Sequence, residues 1–240
     1  MSISKEALEY LVELGYEEDA LVETDKGLFS KMPLTRVKLP KVETLHVSTL
    51  NSVVDFIEEN VDDYHGEWLI QVVNHKEVRL LTPINEGERD VILRAEAILP
   101  ESIPYGRFID TENFNIALQS RFADKGDRAL LLKFTGLIRD DAVKVTGDDG
   151  VSQKTTIKTG VATVGEAVVP NPVILAPYRT FPEIEQVESK FIFRMQEGPS
   201  ASLFEADGGA WINETMERIR EYLVDRLTSS EPIVNWHIIS

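Results

Sequence analysis

The sequence contains no cysteine among its 240 residues. A disulfide-stabilised scaffold, a thiol nucleophile and a zinc site built from thiolates are therefore excluded. It also has no uninterrupted apolar run near the roughly 18 residues that cross a bilayer. The first residues, MSISKEAL, lack the basic start and apolar core of a signal peptide. These absences predict a protein that is made and used in the cytosol, without a membrane partner.

Basic residues are few. The chain has 25 Lys and Arg against 41 Asp and Glu, which gives a net charge of −16. Because such a surface repels phosphate backbones, broad nucleic-acid binding is not expected. Two interpretations of the acidity stay open: simple solubility, or an acidic face that mimics DNA or docks a basic partner. The densest acidic patch follows the polar face of a predicted first helix over residues 5–14 and the turn after it: Glu6, Glu9, Glu13, Glu17, Glu18 and Asp19.

Hydrophobic spacing in the first hundred residues predicts two helices followed by a small antiparallel sheet. Ser4 and Ser48 are suitable residues to cap the two helices, and Gly15 ends the first. After Asp62 the period changes from helical to alternating. The predicted strands cover residues 45–47, 68–73, 77–81 and 91–99.

The second half predicts a β-rich region between two helices. Asp110 or Thr111 caps a middle helix that runs to about Phe122. The pattern from 129 to about 196 is predominantly β, with a buried apolar run at 129–132, a hairpin turn at 147–150 and an alternating strand at 190–195. A last helix begins near Trp211, and residues 233–239 form a closing strand.

These elements together predict an α+β fold. A mixed, mainly antiparallel sheet carries helices at the N-terminus, in the middle and at the C-terminus. Pro100 and Pro104 mark an internal boundary. We expect an N-terminal α+β subdomain over 1–100 and a β-rich subdomain closed by a C-terminal helix over 101–240, with the alternative that the two form one continuous domain.

Four segments of the second half resemble a known family in their order and spacing. They are DDGVSQ at 148–153, LAPYRTF at 175–181, ESKFIFR at 188–194 and LFEADGGAW at 203–211. Here the chain resembles the YfdQ-like family of phage and prophage proteins, over roughly residues 40–230. The resemblance implies a phage-encoded protein in the host-cell cytosol. It implies no reaction and no catalytic residue.

The segment around Asp207 is the first candidate ligand site. Glu205 and Asp207 precede Gly208 and Gly209, which open a helix that carries Trp211. Backbone N–H groups freed by the glycines would bind an anion at the helix N-terminus. The competing interpretation is that Asp207 caps its own helix, and that Trp211 is a core residue.

Two arginines are the cations best suited to an anionic ligand. Arg179 lies in a bend after Pro177, and Arg194 lies on a predicted strand. The planar guanidinium matches a phosphate group. A structural ion pair with a nearby glutamate is the competing interpretation.

A weak metal-site alternative rests on Glu188 and Lys190. An acidic residue two positions before a lysine on a strand matches the end of a pattern used by metal-dependent nucleases. The preceding aspartate that this pattern needs is not evident, and an exposed strand face explains the pair equally well. The four histidines show no metal-ligand spacing, so no cofactor or metal is predicted.

The functional prediction is a non-catalytic phage or prophage accessory protein. It would bind a host factor or a small nucleotide, act as a homo-oligomer and serve in infection, for example against host defence. Two alternatives stay open: a metal-dependent enzyme acting on nucleic acid in phage replication or recombination, and a self-assembling, shell-like structural protein.

Overall fold

The computed structural model describes residues 21–24, 27–30, 42–84, 87–136, 145–148, 153–158, 164–196, 198, 200–230 and 235–240. The chain divides into two compact units, Met1–Val42 and Glu43–Ser240. In the first unit, β1 (Leu21–Thr24) and β2 (Gly27–Ser30) form an antiparallel hairpin. The predicted first helix over 5–14, with its acidic patch, lies outside the described residues.

A five-stranded mixed sheet forms one layer of the second unit. Its strands are β3 (Leu45–Val47), β4 (Trp68–Asn74), β5 (Glu77–Leu81), β6 (Val91–Glu96) and β14 (Trp236–Ile239). Their order is β14-β4-β5-β6-β3, with the three central strands antiparallel and each edge strand parallel to its neighbour. The C-terminal strand therefore completes a sheet that the first half of the chain begins.

Two helices pack on this sheet, α1 (Leu50–Glu58) and a long C-terminal helix (Ala210–Ser230). Thr49 caps α1, because its side-chain oxygen accepts a hydrogen bond from the Ser52 amide at 3.2 Å. The apolar stripes of both helices, spaced three and four residues apart, are buried against the sheet. They consist of Leu50, Val53, Val54 and Ile57 on α1, and Ile219, Leu223 and Leu227 on the C-terminal helix.

A four-stranded antiparallel sheet forms the second layer. Its strands are β7 (Ile109–Asp110), β11 (Val173–Leu175), β12 (Ser189–Gln196) and β13 (Ser200–Glu205), in the order β11-β12-β13-β7. Helices α2 (Thr111–Arg121) and α3 (Arg128–Gly136) share its core. Alternate residues of β12 face that core, and the Phe193 ring lies 5.5 Å from the ring of Phe114 on α2. In chain order, the long C-terminal helix is α4.

A smaller antiparallel sheet joins the edge of β12. It consists of β8 (Val145–Asp148), β9 (Gln153–Lys158) and β10 (Val164–Val168), in the order β10-β9-β8. The buried side-chain amide of Gln153 pairs with the backbone of Met195, donating to its carbonyl at 2.7 Å and accepting from its N–H at 2.9 Å. The glutamine side chain thus satisfies the backbone groups of Met195 as a neighbouring strand would.

The α+β fold class is confirmed. The β prediction for 129–132 is wrong, because these residues belong to α3, where Leu131 is buried and Leu130 is 48% exposed. The subdomain boundary near residue 100 stays a prediction. Among the described residues, no helix combines the length and the apolar character that crossing a membrane requires.

Candidate functional site

A cavity of about 240 Å³ lies within the second unit, where segments of the five-stranded and four-stranded layers meet. Its walls come from the turn after β4, the connection between β6 and β7, the end of α2, the bend after β11, the end of β13 and the start of α4. Most lining residues are aromatic or apolar, and a few polar groups converge on the same space. The lining includes His75, Tyr105, Arg121, Tyr178, Arg179, Glu205 and Trp211.

The bend that carries Arg179 is fixed by a buried amide. The side-chain oxygen of Gln186 accepts from the backbone N–H groups of Arg179, at 2.8 Å, and Thr180, at 3.3 Å. Its side-chain nitrogen donates to the carbonyls of Phe181, at 3.4 Å, and Ile184, at 3.1 Å. Because Gln186 is only 7% exposed and its amide is satisfied on both sides, it holds one conformation of this bend.

The Arg179 guanidinium is the centre of the polar network. It donates to Glu205 Oε1 at 2.9 Å, to the Tyr105 hydroxyl at 3.3 Å and to Ser189 Oγ at 3.2 Å. Its central carbon lies 4.2 Å from the centre of the Trp211 ring, well inside the range of a cation–π contact. Only 12% of the Arg179 side chain is exposed. We call this set of contacts the Arg179 network.

Burial sets the protonation of two further lining residues. Partial burial lowers the pKa of His75, and the positive charges of Lys76 and Arg179 lower it further. Burial raises the pKa of Tyr105, and the charge of Glu205 adds to that effect while Arg179 opposes it. His75 and Tyr105 are therefore both neutral at pH 7, and each offers a hydrogen-bonding group.

The glycines before α4 position Trp211. Gly208 and Gly209 have φ angles of +64° and +82°, which favour glycine. The Gly209 N–H donates to Asp207 Oδ1 at 3.1 Å. The carboxylate thus occupies a donor that the anion-site interpretation needs, in the turn that precedes the helix start at Ala210. Asp207, Gly208 and Gly209 do not line the cavity, whereas Trp211 does.

The remaining predicted site residues lie elsewhere. Arg194 projects from the face of β12 opposite the buried Phe193 and does not line the cavity. Glu188 and Lys190 are exposed at the start of the same strand. Within the described ranges there is no group of three or more residues that could hold a metal ion. The metal-site alternative stays a prediction.

Three of the predicted ligand-binding residues are thus brought together: Arg179, Glu205 and Trp211. Four further lining residues, His75, Tyr105, Arg121 and Tyr178, were not predicted from the sequence. His75 lies between the predicted strands 68–73 and 77–81, and Tyr178 directly precedes Arg179. Their common location was not visible as a motif, because they come from four segments spread over a hundred residues.

The cavity combines mostly apolar and aromatic walls with a few polar groups held in fixed positions. The chain matches no protein-family model, no curated protein and no solved structure. The assignment of function therefore depends on the geometry of this site.

Proposed function

We propose that this protein acts by binding a small nucleotide-type ligand in the cavity beside Arg179, without catalysing a reaction. One observation carries the proposal: a largely apolar, aromatic-lined cavity of about 240 Å³ has polar groups held in fixed positions by the Arg179 network. Such a combination of apolar walls and few fixed polar groups is the usual design of ligand sites. The volume lies below the roughly 300–1,000 Å³ of sites for drug-sized ligands, so it suits one ring system.

The rigidity of the network supports a binding role. Desolvating an arginine is costly unless its hydrogen bonds are satisfied, and here three different side chains accept from it. An ion pair with Glu205, whose side chain is 44% exposed, contributes only about 0–1 kcal/mol by itself. The network therefore contributes more to the placement of the Tyr105 and Glu205 oxygens than to stability, which is what a preformed site requires.

The biological setting is proposed from the family resemblance. A phage or prophage accessory protein that binds a nucleotide would act during infection, including against host defence, and would do so as a homo-oligomer. Binding of a host factor belongs to the same proposal. The cavity itself supports the small-ligand part.

Binding to the cavity is tested with Tyr178→Ala and a matched control. Tyr178 lines the cavity and is 42% exposed, so its removal should cost little stability while deleting an aromatic wall. Phe108→Ala is the control, because Phe108 is 41% exposed and is not a lining residue. Nucleobases, nucleosides, and mono-, di- and triphosphates are screened by thermal shift and confirmed by calorimetry.

We expect at least one compound of the panel to raise the Tm of the wild type and of Phe108→Ala. A ligand at about 100 times its Kd should stabilise the protein by about 2.7 kcal/mol. Tyr178→Ala should lose about 10-fold or more in affinity, since a base stacked on an aromatic side chain gains about 1–3 kcal/mol. A panel without any binder, or equal losses in both variants, would contradict the proposal.

A further inference from the structure

We infer that the cavity recognises the base of a free nucleoside by its N–H donors, with a guanine-type edge bound at Glu205, and that phosphate groups add nothing to affinity. This inference rests on the proposed function and names the ligand class of the same site. It departs from the expectation that Arg179 binds an anion. Four features of the site carry it.

Arg179 is already committed to protein partners. Both hydrogens of its Nη2 nitrogen have acceptors, the Tyr105 hydroxyl and Glu205 Oε1, and Nη1 donates to Ser189. The Trp211 ring lies 4.2 Å from the guanidinium carbon, and the Phe191 ring lies 5.3 Å from it. A phosphate would have to displace the Glu205 carboxylate from an arginine that is 12% exposed. The guanidinium therefore holds neighbouring side chains in place, and it does not present a pair of N–H donors to a ligand.

The charges of the lining residues cancel. Arg121 and Arg179 are balanced by Glu101 and Glu205, and the other lining residues are neutral when His75 is unprotonated. The whole chain carries a net charge of −16. A phosphate entering this cavity gains no net local attraction and is repelled by the protein as a whole. The electrostatics favour a neutral ligand.

Glu205 retains a free acceptor. Its Oε1 accepts from Arg179, and within the described part of the chain its Oε2 makes no hydrogen bond or ion pair. The side chain is 44% exposed and lines the cavity, so this oxygen is open to a ligand. Hydrogen bonds to a carboxylate are shorter and stronger than those between neutral groups. Because Oε1 keeps a second lone pair, a planar ligand with two adjacent N–H donors can bind Oε2 and Oε1 together. The Watson–Crick edge of guanine carries such a pair in its ring N1–H and exocyclic amino group.

The walls suit a flat ring. Tyr178 presents a ring that is 42% exposed at the cavity, and His75 stands edge-on to Trp211 with ring centres 4.8 Å apart. The Tyr105 hydroxyl is a further fixed polar group. Stacking on an aromatic wall tolerates any base, so the choice among bases falls to the hydrogen bonds at Glu205.

The test compares guanosine, inosine, uridine and guanosine monophosphate by calorimetry on the full-length protein. Inosine lacks only the exocyclic amino group of guanosine. The variants are Glu205→Gln, which keeps size and an oxygen acceptor for Arg179, and Glu221→Gln as the control. Glu221 is an exposed residue of α4 that does not line the cavity.

We expect guanosine to bind about 10- to 100-fold more tightly than inosine, as for the loss of one hydrogen bond to a charged group. Guanosine monophosphate should bind no more tightly than guanosine. Glu205→Gln should remove most of the preference for guanosine over inosine, whereas Glu221→Gln should preserve it.

Two results would overturn the inference, and they differ in what they say about the proposed function. In the first, nucleotides bind, nucleosides do not, and Glu205→Gln strengthens binding. The site then recognises phosphate, and the proposed binding function remains with another ligand class. If no compound of the panel binds the wild type, the proposed function fails together with the inference.

Discussion

His75 links the protonation of one side chain to the candidate site. It follows β4, lies in a T-shaped arrangement with Trp211 and is near the charges of Lys76 and Arg179. Burial and these two cations favour the neutral imidazole. A neutral ring can both donate and accept a hydrogen bond, whereas the protonated ring only donates and adds a positive charge. We therefore expect the cavity to bind its ligand when His75 is neutral.

The pKa of His75 should lie below its ordinary value of 6.5. Because the unfolded chain then takes up the proton first as the pH falls, the contribution of His75 to stability is complete above about pH 6.5. It is lost as the pH falls through the lower pKa of the folded state. An NMR titration of the imidazole signals, assigned with His75→Gln, measures this pKa directly.

Urea unfolding at pH 7.5 and 5.5 gives the matching thermodynamic test. The wild type should lose more stability between the two pH values than His75→Gln, in which this group cannot titrate. A His75 signal that titrates at or above its ordinary value would contradict the expected direction, as would equal pH dependence in the two proteins.

The residues of the site differ in how far the sequence could predict them. Arg179 was predicted because its planar guanidinium matches a phosphate group, and Glu205 and Trp211 because they flank a possible anion site at a helix N-terminus. The sequence allowed an ion pair between Arg179 and a nearby glutamate, but it did not indicate that Glu205 is the partner or that one oxygen of Glu205 remains for a ligand. That arrangement depends on β13 and the bend after β11 meeting in three dimensions, 26 residues apart along the chain.

At the scale of elements, the connection between α2 and α3 depends on a close backbone approach. Gly126 has a φ of +59°, and a side chain there would overlap the carbonyl oxygen of Ile174 on β11 and approach Glu188. The neighbouring Asp127 accepts a hydrogen bond from the Ile174 N–H at 2.8 Å. The loop thus follows the exposed edge of β11, and only glycine fits at this point.

Gly126→Ala should destabilise the protein more than Gly198→Ala. Gly198 has a similar φ of +75°, but no atom lies within 4 Å of the position of an added methyl group. The control therefore measures the cost of the left-handed backbone alone, about 1–2 kcal/mol. Gly126→Ala adds a backbone overlap, so we expect a larger loss in the free energy of unfolding, measured by urea denaturation. Equal losses would show that the loop moves away from β11 without cost.

Helices α1, α2 and α4 and the strands of the five-stranded sheet followed from periodicity, whereas α3 was assigned wrongly for a physical reason. Helix α2 is the middle helix predicted to run to about Phe122, and Phe114, Ala117 and Leu118, three and four positions apart, form its buried face. Helix α3 was missed because it has only nine residues, and four consecutive apolar residues at its start hide the helical period. A short apolar run fits a buried strand as well as a buried helix turn, and here packing against the four-stranded sheet selects the helix.

On the scale of the whole molecule, the chain leaves the five-stranded sheet and later returns to it. It builds the sheet through β6, then forms the four-stranded sheet with α2 and α3, and comes back with α4 and β14. This return closes the cavity, because Trp211 at the start of α4 meets segments of both layers. Periodicity identified the closing strand but could not indicate that it pairs in parallel with β4.

Because later parts of the chain complete the five-stranded layer, residues 1–100 should not fold alone. Five large core residues of the five-stranded layer come from later in the chain: Phe181, Ile184, Ile219, Leu223 and Leu227. Burying each contributes about 1.5–3 kcal/mol, so a fragment ending at residue 100 loses about 7–15 kcal/mol by this count. That loss is as large as the whole stability of a typical domain, about 5–15 kcal/mol. Residues 43–240 contain both cores and should fold by themselves.

Tryptophan fluorescence separates these outcomes, because Trp68 is the only tryptophan in residues 1–100 and is 2% exposed in the folded chain. In the fragment its emission should match that in concentrated guanidinium chloride, with no cooperative transition. The 43–240 fragment, as the control, should unfold cooperatively with a midpoint close to that of the full chain. A blue-shifted emission and a cooperative transition in the 1–100 fragment would instead show that the first hundred residues form an independent domain, and that α4 and β14 only dock onto it.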